Sequence, residues 1–508
     1  MKLIRPGITF GIVGGLMTFL FGGWSVAVIG SLMGIGLGLG ISENLNRKEP
    51  LKNVIAALPT ALIAAVILIA LSYYQNNVVL EAIGKKPLKS DITTNANLMG
   101  FFGSVFFTLL FAALRGLPEN QERTARMVIL AFIVVAFPFV DEATSLRWTA
   151  QIIFALIFVI LGLGLNIVVG YAGLLDLGYA AFFAIGAYTT GILSSPVHSI
   201  ELNFWLVIWI AAAMAAVWGV MLGAPTLPLR GDYLAIVTLG FGEIVPVLFK
   251  NLIDVTIKEP LTCWILPMFG FNTACITFVE HADLTLGEKG ISPIGRPSLP
   301  LIGEFESSKP ITWYFLIIAL ILLSVFIIRR LRSSRLGRAW MAIREDELAA
   351  AQMGIDPVKT KLMAFAMGAT FSGFAGAFYA AYIRGIFPSV FDFSASIMIL
   401  CVVILGGIGN INGVIVGGLV LMTADRLFLP ALKDFLAALL KTTILPSISD
   451  PAVQLAVKDN ANPILYRFLL FGLTLAIMMA VRPEGLIPNA QIRAELHEAE
   501  DASAEKKG

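Results

Sequence analysis

Residues Leu161–Tyr188 read LGLGLNIVVGYAGLLDLGYAAFFAIGAY, two apolar runs joined across glycines with a single charged residue, Asp176, between them. A membrane-spanning helix needs ~20 predominantly apolar residues. With their flanks, the two runs, 149–170 and 176–194, meet that need. The composition agrees, because 57% of the residues are hydrophobic and 14% charged, against about 25% charged in an average soluble domain. The 47 glycines fit as well, since helices in lipid use small residues to approach one another closely. The fold class is therefore all-α, a polytopic membrane helix bundle. A net charge of +2 gives no sign of a nucleic-acid partner.

Further spans are expected at 53–74, 98–114, 127–141, 204–224, 232–249, 311–328, 362–384, 394–406, 413–429 and 464–481, with the run Ile8–Ile41, too long for one span and barely enough for two, turning at Gly22-Gly23. Lys2 and Arg5 ahead of that run resemble a signal peptide. The run exceeds the ~7–15 residues of a signal core, so it reads as retained membrane helix. Several spans are short, which suggests broken or re-entrant pieces shielded by protein rather than lipid. Lys and Arg gather in 46–53, 115–126 and 329–338. Positive charge marks the cytoplasmic side, and counting the spans in order puts all three segments there. Both termini are then cytoplasmic, in a bundle of about fourteen spans. The loops Ser194–Asn203 and Asn251–Pro310 face outward.

Catalytic chemistry finds little support. The three histidines, His198, His281 and His497, lie in loops or the tail, and no H-E-x-x-H pair is present. The run Gly84-Lys85-Lys86 lacks the upstream glycine and the hydroxyl residue of a phosphate-binding loop. The chain is not expected to be an enzyme, to hold a metal or to bind a nucleotide. Energy from ATP must come from another polypeptide. Ion coupling would call for ionisable groups at membrane depth, and few are available. Asp176 reads either as a loop or cap residue at the membrane edge or as part of a substrate path. Glu243, in LGFGEIVPVLF, lies inside an apolar run, where a carboxylate demands a partner or a water-filled cavity. Gly173, Gly178 and Gly407 belong to glycine-rich stretches that read either as lipid-depth breaks lining a cavity or as ordinary helix packing.

The strongly polar segment SRLGRAWMAIREDELAAAQMGIDPVKTK, Ser334–Lys361, stands apart from this apolar chain. Leu336–Met353 is rich in good helix formers. Gly354 is placed to end that helix, and Asp356-Pro357 to cap and start the next. Trp340 and Ile343 fall on one side as an apolar knob among charges. Such a helix serves either as a solvated connector or as a docking element.

RSSRLGRAWMAIREDELAAAQMGI resembles the cytoplasmic coupling segment of the LivM-type permeases of branched-chain amino-acid ABC importers. The resemblance extends to LRGDYLAIVTLGFGEIV, VVILGGIGNINGVIVGG and RPEGLIP, in the same order from Met127 to Pro488. It implies an ABC-permease core of about ten helices, preceded here by about four N-terminal helices. The domains are then 1–126, an N-terminal membrane extension, 127–488, the permease core with its coupling segment 329–361, and 489–508, a charged cytoplasmic tail. Implied partners are a second permease subunit of the LivH type, two ABC ATPase subunits that hold ATP and Mg, a periplasmic amino-acid-binding protein, and membrane lipid. The implied function is inward passage of Leu, Ile and Val across the bacterial inner membrane. Other neutral amino acids, amides or urea are the alternative cargo, and an ion-coupled carrier or channel the alternative class. The ATPase contact is expected at Arg335, Gly337, Arg338, Trp340, Arg344, Glu345, Asp346 and Glu347, with Trp340 as its buried anchor. The chain departs from the pattern in extra residues at about 252–284 and 433–462, and at Thr285–Ile291, TLGEKGI, where the family has T-G-G-x-x-G-I. Cys263 and Cys275 lie in the first insertion. Outward exposure would allow them to pair, and two free thiols or an interfacial apolar segment are the other readings.

Overall fold

The computed structural model describes residues 119–144, 148–198, 201–226, 232–253, 283–299, 303–306, 309–430, 433, 463–481 and 484–487. The N-terminal spans, Cys263, Cys275, the bulk of both insertions and the tail lie outside the described residues. Contacts divide the chain into two units, 1–149 with 424–469, and 150–423 with 470–508. In the first, helix α1 (Glu119–Thr144) ends near Asp141. The carboxylate of Asp141 accepts the backbone N–H groups of Trp148 and Thr149 at 3.0 and 2.8 Å. It thereby satisfies donors that open the next helix and have no carbonyl of their own.

The second unit holds the core. Helix α2 (Trp148–Leu165) continues as a π-helical turn, Asn166–Tyr171, and together they form a 24-residue span. Residues 172–179 are not helical, and α3 (Ala180–Ser194) begins only after them. The expected span 176–194 is thus shortened at its start. Asp176 explains why, because its Oδ1 accepts the N–H of Gly178 at 2.9 Å, a local bond that competes with the helical ladder. Spans α4 (Phe204–Thr226), α5 (Asp232–Asn251), α6 (Pro310–Ser333) and α9 (Pro357–Ile383) agree with expectation to within a few residues, as do the shorter α10 (Phe393–Gly406), α11 (Ile411–Thr423) and α12 (Arg467–Val481). Two short helices, α7 (Arg335–Glu345) and α8 (Glu347–Gln352), join α6 to α9. A two-stranded ribbon, β1 (Ser298–Leu299) with β2 (Gly303–Glu304), lies in the loop before α6.

Helix α9 is the centre, packed chiefly on α3 and α4. Its row of small residues makes this possible. A Cβ added at Gly373 would lie 2.8 Å from the Cα of Ala212 on α4, and one at Gly186 of α3 would lie 2.6 Å from the Cα of Gly373. Three backbones therefore meet where no side chain fits. Towards the α9 C-terminus, edge-to-face rings fill the space instead, with Phe183, Phe154 and Phe391 around Tyr379. Helix α3, at 15 residues, is about 22 Å long, short of the ~30 Å hydrocarbon layer. It is nevertheless buried at most positions, so protein rather than lipid surrounds its ends.

The C-terminal end of α3 is tied to the loops before α6 and after α9. Ile291 and Ile386 exchange both backbone hydrogen bonds at 3.1 Å, and Gly295 donates to the Ser194 carbonyl at 3.0 Å. In the TLGEKGI run, Leu286 has φ 57° and Gly287 φ 58°. Both values lie in the left-handed region that favours glycine, and Leu286 adopts it with a side chain.

Candidate coupling site

The segment Ser334–Lys361 folds as the sequence directs at its ends. The Ser334 hydroxyl accepts the N–H of Gly337 at 3.3 Å and caps α7. A Cβ at Gly337 would press on the carbonyls of Leu331 and Arg332, so only glycine lets α7 turn this sharply off α6. Gly354 has φ 85°. Its N–H reaches Ala351 at 3.0 Å while Ile355 reaches Ala350 at 3.1 Å, the paired bonds of a Schellman close. Asp356 then accepts the N–H of Lys359 at 3.2 Å, with Pro357 at the first position of α9. That bond, reinforced by the Lys359 ammonium, holds the Asp356 carboxyl below the usual carboxylate range.

The middle of the segment corrects the expectation twice. Leu336–Met353 is not one helix. Asp346 adopts φ −152°, ψ 110° and accepts the N–H groups of Leu348 and Ala349 at 2.8 and 3.0 Å. Its carboxylate thus ends α7 and begins α8. Trp340, expected as an outward anchor, is fully buried, and its indole N–H donates to the Thr360 carbonyl of α9 at 2.8 Å. Within a helix that packs on its own chain, the largest apolar side chain takes the inner face. Ile343 and Gly337 are buried beside it.

Two side-chain bonds fix the pair of helices to the core, and a third stays local at their start. Arg344 donates to the Gly170 carbonyl at 2.5 Å, in the π-helical end of α2. Its aliphatic stem covers Gly173, whose φ of 70° and missing Cβ admit it. Lys361, 6% exposed, pairs with Glu347 at 2.7 Å and ties α8 to α9. Arg338 donates to the Ser333 carbonyl at 2.9 Å.

Of the eight residues expected at the ATPase contact, Arg335, Arg338, Arg344, Glu345 and Asp346 are exposed, Glu347 is half-buried, and Gly337 and Trp340 are buried. The outward surface holds two apolar residues that sequence reasoning missed, Leu348, 63% exposed, and Met353, 84% exposed. Their signal in the sequence is only that they are apolar residues in a polar run.

The path candidates separate. Gly407, φ 116°, lies in the turn of the α10–α11 hairpin against the carbonyl of Ile487. In the same turn the N–H of Gly409 donates to Asn166 Oδ1 at 2.8 Å. Asn410 donates to the Ile487 carbonyl at 3.0 Å, and Leu486 and Ile487 donate to the last carbonyls of α10 at 2.9 and 3.1 Å. Leu486 and Ile487 of the RPEGLIP motif thus cap α10. Asp176, 1% exposed, and Gly178 sit deeper, against α5. Leu177 donates to Thr238 Oγ1 at 3.1 Å, while Asp176 Oδ2 has no partner among the described residues. The gap there measures about 10 Å³ between Phe182, Phe241 and Phe365, room for a single water at most. Glu243 is exposed on the opposite side of α5. Among the described residues no group of His, Cys, Asp and Glu could hold a metal ion.

Comparison with known proteins follows the same geography. A family model described as branched-chain amino acid transport system / permease component matches residues 149–478. The high-affinity branched-chain amino acid transport system permease protein LivM of Escherichia coli K12 is 36% identical over 384 residues, 71% of this chain and 74% of that relative. LivM of Salmonella typhimurium is 35% identical over 382 residues, 71% and 74% of the two chains. The permease protein LivH of Salmonella typhimurium is 30% identical over 159 residues, 29% of this chain and 49% of that relative. No solved structure matches. With most of its length covered by that model and by LivM relatives, a multi-pass membrane chain built on these helices belongs to the branched-chain amino acid transport system permease family.

Proposed function

We propose that this chain is the translocating subunit of a binding-protein-dependent importer for Leu, Ile and Val, driven by ATP hydrolysis on separate ATPase subunits and completed by a second permease of the LivH type. The family and the names of its relatives support the cargo and the pair. Its termini and the α7–α8 pair face the cytoplasm, in keeping with Arg329, Arg330, Arg332, Arg335 and Arg338 at the end of α6 and the start of α7.

One observation carries the mechanism: α7 and α8 present an outer surface of Arg338, Glu345, Leu348 and Met353 while their inner surface is fastened to two different parts of the core. Leu348 and Met353 enter the ATPase cleft as apolar anchors, flanked by charge-assisted bonds from Arg338 and Glu345. Closure of the ATPases on ATP then displaces the pair as a block. Trp340 and Lys361 pass the displacement to α9, and Arg344 passes it to the π-helical end of α2. Between them lies the unwound stretch with Asp176 and Gly178, closed against α5. Opening that gap is the inward step of alternating access.

The test is uptake of radiolabelled leucine by cells in which this chain replaces its deleted gene, with its partner subunits present. The variant Leu348→Glu with Met353→Glu should insert and melt as the parent does, yet lose at least ten-fold in uptake and lose stimulation of ATP hydrolysis by the loaded binding protein. Unchanged uptake would refute the docking surface. Uptake by the purified chain alone would refute the importer.

A further inference from the structure

Glu243 is the twelfth of the twenty residues of α5, so it lies near the middle of a helix about 30 Å long. Its side chain is exposed on this chain. The other outward faces of the unit are different in kind. Helix α4 shows Trp209, Val217 and Val220, and α6 shows Leu322, Leu323 and Phe326, all apolar. Those faces suit lipid. A carboxylate at mid-depth does not, because no water or donor meets it in hydrocarbon.

The surroundings of Glu243 add a second observation. Tyr233, Ile236, Gly240, Glu243 and Val247 follow one another at spacings of three and four, the repeat that lies along the seam of two packed helices. Tyr233, Ile236 and Val247 are 71%, 62% and 56% exposed. At Gly240 a Cβ would meet nothing within 4 Å among the described residues. Every glycine on α2, α3 and α9 is explained by a neighbour inside the chain, whereas Gly240 leaves a notch open to the outside.

We infer that the Tyr233–Val247 face of α5 is the surface on which the second permease subunit closes, a helix of that subunit lying in the Gly240 notch and presenting a hydrogen-bond donor or cation to Glu243. This inference rests on the functional reading above. The chain is similar to proteins named LivH as well as LivM, so a second permease of the same family supplies a like-shaped helix. Helix α5 then has the partner on one side and the Asp176 stretch on the other, through Gly178 and Thr238.

A photoreactive amino acid placed at position 240 in the importer, assembled in its own membrane, should give adducts with the second permease. The same group at position 220 of α4 should give lipid adducts only. Gly240→Trp, at a position where an added Cβ meets no described atom within 4 Å, should lower co-purified second permease at least ten-fold, with Val220→Trp unchanged. Lipid adducts alone at 240, adducts with another copy of this chain, or normal co-purification of Gly240→Trp would overturn the inference while leaving the importer intact. A parent chain that captures no second permease would overturn both.

Discussion

At position 340 the indole has its polar atom satisfied by Thr360 and its ring enclosed by the chain. Trp340→Ala should therefore act first on stability. Truncation of a buried tryptophan costs about 3–5 kcal/mol, visible as a lowered melting temperature of the detergent-solubilised protein. Trp340→Phe keeps most of the volume but loses the bond to the Thr360 carbonyl, and should lie between the two. An unchanged melting temperature in Trp340→Ala would show that the indole does not pack as described. Leu348 and Met353 should show the reverse, stability kept and coupling lost. The residues legible in sequence were those whose task is local, Gly354, Asp356 and Pro357, because capping is decided within a few positions. The direction of Trp340 was not, since its acceptor is twenty residues away and belongs to another helix.

Among the elements, α9 depends on closeness and its first turn on charge. Gly373→Leu should push α9 from both α3 and α4, overpacking that costs about 1–3 kcal/mol or more, read as a lower melting temperature together with faster proteolysis in native membranes. Asp356 gives the start of α9 a pH dependence. Its folded carboxyl titrates below the unfolded value of about 3.9. The contribution is therefore complete above that unfolded value and disappears as pH falls through the lower, folded one. Asp356→Asn keeps an acceptor without the titration. Its melting temperature should fall less than the parent's between about pH 4 and pH 3, and parallel curves would refute the cap. Helix existence was legible from apolar length, whereas breaks at 172–179 and at Asp346 came from side chains that bond their own backbone. Such bonds win over helix propensity only where the neighbouring turn gives them room.

On the scale of the second unit, the described parts form a lever with two attachments. Arg344 grips the end of α2 and the pair of Trp340 and Lys361 grips α9, so a displacement of α7–α8 reaches both sides of the Asp176 stretch together. Composition placed the chain in a membrane and the repeated motifs gave its family. Neither could say which side of α5 meets lipid, because periodicity marks a face without naming what covers it.

The cap on α10 bears on the order of biosynthesis. The helix ends at Gly406, but the N–H groups that quench its last carbonyls belong to Leu486 and Ile487, some eighty residues later in translation. While the ribosome makes the intervening chain, the α10–α11 turn has Asn166 to lean on but no lock. Closing so long a loop is slow, so this cap waits until Leu486 and Ile487 have been made.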